Sequence, residues 1–530
     1  MAAPASDEEC RSFQPRRFRF RQVTRPLRTM VLHEVASLLP HAVLWSVRVA
    51  VFWAALCLSP VHAAPPAPRD TGLEPVLLLT PGVVAQVDRA ALTLHPPRKT
   101  GERLLESSLP WENATLNWFS ILREGDRFRL WYECYDVAGW PTPDDTSFCY
   151  AESTDGLNWT RPQLGLTEYQ GSTANNILFR QIGTGAHRSR VHGTCVFLDP
   201  AAPAEERYKA VSQGQFQGRG DRPYYIAGMT SPDGLKWRRL PDPIGDDFAD
   251  SQYSGFRDPA SGQYWLYGRA AGRGGRAVGR ADNARFTRFE SLTRDVCLQA
   301  HPDQPPGQDH YNPACQLCPT VPGLVLAFPS LFQHRADTLD IRLAVAEPTG
   351  EFRWPDREEA FIPLGAAGEW DGGSLYFGNG GCVPLGTGEN WAFYYSASRL
   401  KHAETELDNL RDPRNRRVIT RAIAPAGRLA GYRAGEDVAD LRTVPLRSTG
   451  RRLQLNARVA PGGEIRVALL RPDGSPVPGR GINDCAPVTG DSRTAAVSWN
   501  SGADVDAQAG LIVHFTLRHA ELFGVQFLAQ

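Results

Sequence analysis

An internal repeat is the feature of this sequence that most constrains its fold. Residues 153–159 (STDGLNW) and 231–237 (SPDGLKW) are near-copies, and looser copies occupy 281–286 and 348–354. Asp-Gly favours a tight turn between strands, and a following tryptophan is suited to packing between two sheets. Repeats of this kind predict a chain assembled from similar supersecondary units.

The segments before each repeat show the same succession of four short strands separated by turns. The innermost strands are predicted at Asn117–Leu122, Gly193–Leu198, Gln252–Phe256, Cys315–Val321 and Ser374–Pro384. Four antiparallel strands make one blade of a β-propeller, so these units predict a five-bladed propeller over residues 75–427. Frequent aromatic, glycine and proline residues, with only 3 methionines, are consistent with an all-β protein.

The pattern changes after about residue 428. Alternating strands are predicted at Arg452–Val459, Glu464–Leu470, Ala495–Trp499, Leu511–Arg518 and Leu522–Leu528. Alternation around glycine-rich turns predicts a C-terminal, jelly-roll-like β-sandwich over residues 428–530.

The first 63 residues predict a basic leader and a signal peptide. Arginines precede the apolar run Val49–Leu58, and Val61-His62-Ala63 has the small-residue pattern of a cleavage site. Met30 as the true start and a membrane anchor are the alternatives. Residues 64–74 predict a linker. Cleavage near Ala63 would give a secreted or periplasmic protein with no membrane span in the mature chain.

The net charge and the cysteines bear on nucleic acid binding, disulfide formation and metal binding. Lys+Arg and Asp+Glu are equal at 58 each, which gives no indication of nucleic acid binding. Cys134 and Cys149 fall on consecutive strands that should pair, so we expect a disulfide or bonding proximity. Cys315-x-x-Cys318 could be a redox or zinc motif, but no second Cys or His pair lies at metal spacing, so a buried or disulfide-linked pair in a strand is the favoured interpretation. The oligomeric state is left open.

Residues just before the innermost strands of a propeller surround one mouth of its channel. The residues predicted there are Trp111, Glu112, Arg190, His192, Asp250, Asp309, Tyr311, Trp370 and Asp371. Converging carboxylates are the groups that cleave glycosidic bonds, one as the acid and one as the nucleophile or base. A solvated rim is the competing interpretation.

Other residues add to this site hypothesis. The aromatic residues Trp118, Tyr253 and Tyr376 suit a sugar platform, with ordinary blade packing as the alternative. Four arginines on the third unit could bind an acidic sugar, with a solvated face as the alternative; these are Arg257, Arg269, Arg276 and Arg280. Asp258 in Arg-Asp-Pro is predicted to form a turn at the opposite mouth, level with Asp199.

With these motifs the chain resembles the five-bladed propeller glycoside hydrolases of the invertase-like family 32 and arabinanase-like family 43 group. It looks most like exported bacterial family 32-like proteins. The segments that carry the resemblance are 155–159, 207–210, 250–252, 309–312 and 370–372. Trp111-Glu112-Asn113 replaces the family's Asn-Asp-Pro nucleophile motif, and the third unit has no Glu-Cys acid motif. The family's sugar specificity is therefore not transferred.

The sequence therefore predicts a secreted glycoside hydrolase. Glu112 and Asp371 are the predicted catalytic pair, with Asp250 as a third catalytic carboxylate. The predicted substrate-binding residues are Asp309, His192, Arg190, Tyr311, Trp111 and Trp370. The resemblance implies a carbohydrate substrate and no required cofactor, and it leaves room for a structural calcium ion. A non-catalytic glycan-binding propeller and a protein scaffold are the alternatives.

Overall fold

The computed structural model describes residues 67–136, 146–182, 189–216, 224–247 and 249–529. The predicted leader and its cleavage site lie outside these ranges. Within these ranges the secondary structure is almost entirely β, and the one α-helix described is short, Leu407–Arg411. Single 3-10 turns lie at Pro110–Glu112, Ala204–Glu206, Leu292–Arg294, Pro413–Asn415 and Ile482–Asp484. No helix within the described ranges has the length and apolar character needed to cross a membrane.

Five successive groups of antiparallel strands occupy the predicted repeats, and they are called units 1 to 5. Unit 1 contains Thr115–Glu124, Arg127–Tyr135, Thr146–Ser153 and Ile177–Phe179. Unit 2 contains Gln181–Ile182, Ser189–Leu198, Tyr208–Gly214, Tyr225–Ser231 and Arg238–Arg239. Unit 3 contains Ser254–Arg257, Tyr264–Gly272, Gly275–Asn283 and Val296–Leu298. Unit 4 contains Gln308–His310, Cys315–Leu317, Val325–Ala327, Ser330–Gln333, Thr338–Ile341 and Ala344–Ala346. Unit 5 contains Ser374–Leu385, Asn390–Ser398 and Val418–Pro425.

The Asp-Gly turns of the repeat join neighbouring units. In unit 1, Asp155 Oδ1 accepts hydrogen bonds from the amides of residues 157 and 158, and Asp233 does the same in unit 2 for residues 235 and 236. Gly234 O accepts a 2.6 Å bond from Trp131 of unit 1, and Gly156 O accepts a 2.8 Å bond from Tyr394 of unit 5. Both glycines have positive φ, and a Cβ at Gly156 would lie 2.3 Å from the Tyr394 hydroxyl. The repeat therefore has a glycine at the position where each turn contacts the adjacent unit.

Polar side chains also connect the inner strands of successive units. Ser120 of unit 1 accepts a bond from the Val196 amide of unit 2, and Gln252, just before unit 3, donates to Thr194 O. Ser254 of unit 3 accepts a bond from the Cys315 amide of unit 4, Gln316 donates to Cys382 O of unit 5, and Asn379 pairs with Ser120 of unit 1. These contacts link the five units in chain order and return to the first.

Segments near residue 100 complete unit 5. Arg98–Lys99 and Leu105–Glu106 both pair antiparallel with Val418–Pro425. The outer edge of the last unit is therefore covered by a strand segment from before the first unit, which removes an exposed edge.

The C-terminal region forms an eight-stranded sheet around two long strands, Arg452–Leu470 and Ile512–Leu528, which pair antiparallel. The remaining strands are Val76–Leu77, Val84–Asp88, Ala90–Leu94, Ala430–Ala434, Ala439–Thr443 and Asp491–Ala496. Arg69–Asp70 pairs separately with Leu446–Arg447. Strands within residues 76–94, which fall in the range predicted for the propeller, pair with the C-terminal strands. Their side chains complete its core, because Val76, Leu78 and Val83 belong to the same buried cluster as Phe515.

Cys134 and Cys149 lie on paired strands, with their Sγ atoms 3.4 Å apart. The predicted proximity is confirmed, and both residues are free thiols. Burial raises the pKa of each thiol, which makes both weak nucleophiles. Cys315 and Cys318 are likewise buried.

His310 gives unit 4 a pH-dependent contribution to stability. Its ring is 2% exposed and stacks on Trp354, with ring centroids 5.0 Å apart. Burial lowers its pKa from 6.5 to about 4, against the opposing charge of Asp309. Between those values the unfolded chain binds a proton that the folded chain does not, so stability falls as pH decreases through this window.

We expect His310→Phe to reduce the pH dependence of the unfolding free energy between pH 6.5 and 4. Across that range the unfolding free energy of the wild-type protein should fall by about 3 kcal/mol more than that of the variant. The reason is that the unfolded wild-type chain gains a proton on His310 while the folded chain keeps the imidazole neutral. Denaturant unfolding at several pH values measures this difference. Replacement of the exposed His519 by asparagine is the control. Parallel pH profiles for wild type and His310→Phe would contradict the assignment.

Candidate functional site

A cavity of about 540 Å³ opens where the inner strands of units 1, 2 and 5 begin. Thr115, Asn117 and Trp118 come from the first strand of unit 1, and Tyr376 comes from that of unit 5. The remaining lining residues include Tyr135, His192, Asp250, Arg269, Arg276, Tyr311, Lys401, His402, Glu404, Asn415 and Arg417. Residues from or next to all five units therefore line the cavity.

Three aromatic rings form one wall of this cavity. The Trp118 ring lies 6.2 Å from that of Tyr311 in a stacked arrangement and 5.2 Å from that of Tyr376, edge on. Tyr311 and Tyr376 are themselves 5.6 Å apart. Trp118 and Tyr376 are largely buried, so surrounding atoms hold both rings in place and the wall is partly apolar. Such a surface suits the CH faces of a sugar ring.

Asp250 and His192 lie side by side at the cavity, within ion-pair distance. Asp250 Oδ1 lies 2.9 Å from His192 Nε2, and the aspartate side chain is 63% exposed. On the other side of the imidazole, His192 Nδ1 lies 3.3 Å from the Tyr135 hydroxyl and 4.0 Å from Glu133 Oε2. Glu133 is fully buried and accepts a 2.6 Å bond from the Thr194 amide. The histidine is thus held between an exposed carboxylate and a buried one.

Arginines surround the aromatic wall. The guanidinium groups of Arg269 and Arg276 lie 4.5 and 5.1 Å from the centre of the Tyr311 ring. Arg417 lies 4.8 Å from the centre of the Tyr376 ring. These distances are within the range of cation–π contacts. Lys401 adds a fourth cation to the lining, whereas Asp250 and Glu404 are its acids within the described ranges.

The segment between the last two strands of unit 5, residues 399–417, supplies a second wall that the sequence did not predict. His402 Nε2 lies 2.9 Å from the Tyr311 hydroxyl, and the His402 amide donates to Asp337 O. Burial lowers the pKa of His402; Asp337 opposes this, and the cavity arginines add to it. Glu404 accepts a 3.0 Å bond from the Lys401 amide. The polar composition of this insertion was its only sequence signal.

The structure brings together three of the nine predicted site residues, His192, Asp250 and Tyr311, at this cavity. Asp309 lies behind it, fully buried, where its Oδ2 accepts bonds from Arg276 and lies 3.0 Å from His334 Nε2. Asp309 therefore positions an arginine instead of lining the cavity. Arg190 lies in the strand Ser189–Leu198, and its side chain is outside the described part of the structure.

Glu112 does not line this cavity, contrary to the expected convergence. Its carboxylate is fully buried under a 3-10 turn, where it accepts bonds from the Ser108 and Leu109 amides. It also bonds the Tyr132 hydroxyl and pairs with Arg161 at 3.0 Å. The turn directs the side chain towards Tyr132, in the buried core of unit 1. These surroundings favour a structural role, and its catalytic role stays an untested prediction.

Asp371 also lies outside the cavity lining. It is 6% exposed and pairs with Lys99 Nζ at 2.8 Å. A Cβ at Gly365 would come within 1.8 Å of Asp371 Oδ1, so the adjacent turn encloses the carboxylate. The tryptophans next to Asp371 and Glu112 are also absent from the lining of this cavity. Trp370 lies under Arg103, and Trp111 donates a 3.0 Å bond to Asn176.

Asp258 and Asp199 follow the inner strands of units 3 and 2, at the ends opposite Asp250 and His192. Asp258 accepts bonds from the Ala260 and Ser261 amides, so its predicted turn role is confirmed. Tyr253, one of the predicted platform residues, is fully buried. No group of three or more His, Cys, Asp or Glu side chains in the described ranges could hold a metal ion.

Comparisons with solved structures find similarity at low identity. A GH32 β-fructofuranosidase from Bombyx mori is 10% identical with a TM-score of 0.38, and the match covers 80% of this chain and 94% of that one. A thermostable family-43 glycoside hydrolase is 13% identical with a TM-score of 0.39, over 61% and 91% of the two chains. An N-acetylgalactosamine deacetylase from F. plautii, in complex with blood group B trisaccharide, is 14% identical with a TM-score of 0.38, over 63% and 95%.

Both families named from the sequence, 32 and 43, are thus represented among the similar structures. No family model matches the sequence, and no curated protein matches it. The TM-scores of these matches lie between 0.38 and 0.40.

Proposed function

We propose that this chain is an exported glycoside hydrolase whose active site is the cavity lined by Trp118, Tyr311, Tyr376 and Asp250. One observation carries the proposal. A wall of three aromatic rings lies in the same cavity as two carboxylates, those of Asp250 and Glu404. Aromatic rings bind the apolar faces of sugars, and a pair of carboxylates is the usual equipment for cleaving the bond between them.

Within this proposal units 1 to 5 are the blades of a five-bladed β-propeller, and the C-terminal sheet folds into a β-sandwich. The inter-unit bonds from Ser120 onwards support a closed ring, because they connect unit 5 to unit 1. A bulge between Val459 and Glu464 divides the longest strand, which supports its passage between two layers.

The catalytic set is revised from the one predicted by sequence. Asp250 is the ionised carboxylate, 2.9 Å from His192 Nε2, and Glu404, from the segment 399–417, is its partner. One must protonate the leaving oxygen while the other acts as nucleophile or base. Glu112 and Asp371 receive structural roles, since each is buried and ion-paired away from the cavity. No residue is assigned to a calcium ion.

Export is part of the proposal. Its support is the sequence pattern that ends at Ala63, which precedes the first described residue. N-terminal sequencing of the protein recovered from the periplasm or medium should begin at residue 64. Recovery of the uncleaved chain with the cells would contradict export.

A panel of purified oligosaccharides tests the enzymatic function. Incubation with the protein should release reducing sugar from at least one member, with single-turnover products identified by mass spectrometry. The Asp250→Asn protein is the matched blank, since it retains the cavity and removes one charge. Equal product from both proteins would identify a contaminating activity and would contradict the proposal.

Non-catalytic glycan binding is the second candidate. The 63% exposure of Asp250 favours it, because a largely hydrated carboxylate is less readily tuned for acid–base chemistry. Under this alternative a glycan binds with measurable affinity, and no product forms over prolonged incubation.

A further inference from the structure

We infer that the glycan taken by this cavity is anionic, carrying a carboxylate or a sulfate ester on a sugar that rests against Tyr311 and Tyr376. The inference rests on the proposed function, because it assumes that the aromatic wall binds sugar. It concerns the arginines Arg269, Arg276 and Arg417, which none of the proposed catalytic steps uses. Guanidinium groups bind both carboxylates and sulfates through paired, charge-assisted hydrogen bonds.

The three guanidinium groups lie where an anionic substituent would be. Arg269 and Arg276 both contact the Tyr311 ring, and Arg417 contacts the Tyr376 ring, whose centre is 5.6 Å from that of Tyr311. A sugar that stacks on either ring would therefore have a guanidinium group beside its substituents. The cationic groups come from units 3 and 5, so they face the cavity from two sides.

Arg269 and Arg417 retain hydrogen-bond donors of the kind that a structural arginine of the same chain, Arg280, uses on protein acceptors. Arg280 bonds the Asp295 carboxylate and the carbonyls of residues 348, 349 and 350. In contrast, among the described residues Arg269 makes only long hydrogen bonds, of 3.3 and 3.4 Å, to the carbonyl of Tyr311. Arg417 Nε is buried and has no hydrogen-bond partner among the described residues. A buried donor without a partner is costly, and an anionic ligand would satisfy it.

The acids around the cavity neutralise this charge only in part. Asp309 pairs with Arg276 at 3.2 Å and is also 3.0 Å from His334. Asp250 lies 2.9 Å from His192 Nε2, and Glu404 accepts a hydrogen bond from the Lys401 amide. Arg269, Arg417 and Lys401 therefore give the cavity an excess of positive charge, which would attract an anionic ligand and weaken with added salt.

Binding of matched oligosaccharides tests the inference. Titration calorimetry on the whole protein would use a uronic acid tetrasaccharide, its carboxyl-reduced neutral counterpart and a sulfated form of that neutral tetrasaccharide. We expect at least one anionic probe to bind ten-fold or more tightly than the neutral one, with affinity falling as salt is raised. Comparison of the uronate and sulfate probes identifies which oxyanion the cavity prefers.

Variants localise the effect. Arg417→Gln and Arg269→Gln should each weaken binding of the preferred anionic probe about ten-fold while leaving the neutral probe unchanged. Arg273→Gln is the control, because Arg273 belongs to the same hairpin as Arg276 and does not line this cavity. Unchanged thermal unfolding of each variant shows that folding is intact.

The outcomes separate this inference from the proposed function. Equal affinity for neutral and anionic probes, or an equal loss for both in the arginine variants, would overturn the inference. If the protein cleaves neutral glycans under those conditions, the hydrolase proposal stands without it. Tight, arginine-dependent binding of an anionic probe, with no cleavage of any glycan in the oligosaccharide panel, would support the inference and contradict the hydrolase.

Discussion

Asp250→Asn is expected to lower the rate of glycan hydrolysis by about 100- to 10,000-fold, the usual range for loss of a group that acts in proton transfer. In this protein Asp250 Oδ1 lies 2.9 Å from His192 Nε2. Asparagine has the same size as aspartate and can keep this contact, but it cannot carry the negative charge. Because the side chain is largely exposed, the unfolding temperature should be unchanged. The effect should appear in kcat, with substrate binding altered little.

The measurement is the initial rate on the substrate found by the oligosaccharide panel. Glu404→Gln should produce a loss of similar size, since the proposed mechanism needs both carboxylates. Asp246→Asn is the control, because Asp246 is an exposed aspartate that pairs with Arg288. Full activity in both Asp250→Asn and Glu404→Gln would exclude the assignment.

Local sequence patterns predicted the inner strands well. Unit 5 was expected to begin at Ser374, and the observed strand is Ser374–Leu385. The innermost strand of unit 4 was expected to begin at Cys315, and the observed strand Cys315–Leu317 begins there. Alternation and Asp-Gly turns are properties of short segments, so they can be recognised without knowledge of distant contacts.

Non-local pairing could not be predicted in the same way. Residues 76–94 join the C-terminal strands, although more than 300 residues separate them in sequence. The strand Arg452–Leu470 was expected as two strands, because Pro461 and two glycines interrupt its alternation. In the structure these residues form a bulge that the partner strand spans.

The site was predicted in part for a related reason. His192 and Asp250 were found because their position before an inner strand is a local property. Glu112 and Asp371 occupy equivalent places in the sequence, but the turn that carries each one directs the carboxylate elsewhere. Side-chain direction within a turn depends on its backbone angles, which the sequence pattern does not specify. Arg417 and His402 lie in an insertion and had no repeat to mark them.

Glu112→Gln is expected to lower the free energy of unfolding by about 3 kcal/mol or more, the usual cost of breaking a buried ion pair. Glu112 is fully buried, and its partner Arg161 is mostly buried. The amide would leave the Arg161 guanidinium without its counter-charge in unit 1. Activity at temperatures well below the unfolding transition should remain, because the carboxylate lies outside the cavity.

The neighbouring Glu106 supplies the control. Glu106 pairs with Arg103 at 2.6 Å, but both side chains are about one-third exposed, so Glu106→Gln should cost less than about 1 kcal/mol. Denaturant unfolding of the three proteins, together with kcat for each, separates the two roles of Glu112. A large loss of turnover with unchanged stability in Glu112→Gln would restore the catalytic role predicted from sequence. A loss of stability with turnover retained would establish Glu112 as the buried anchor of the Arg161 side chain.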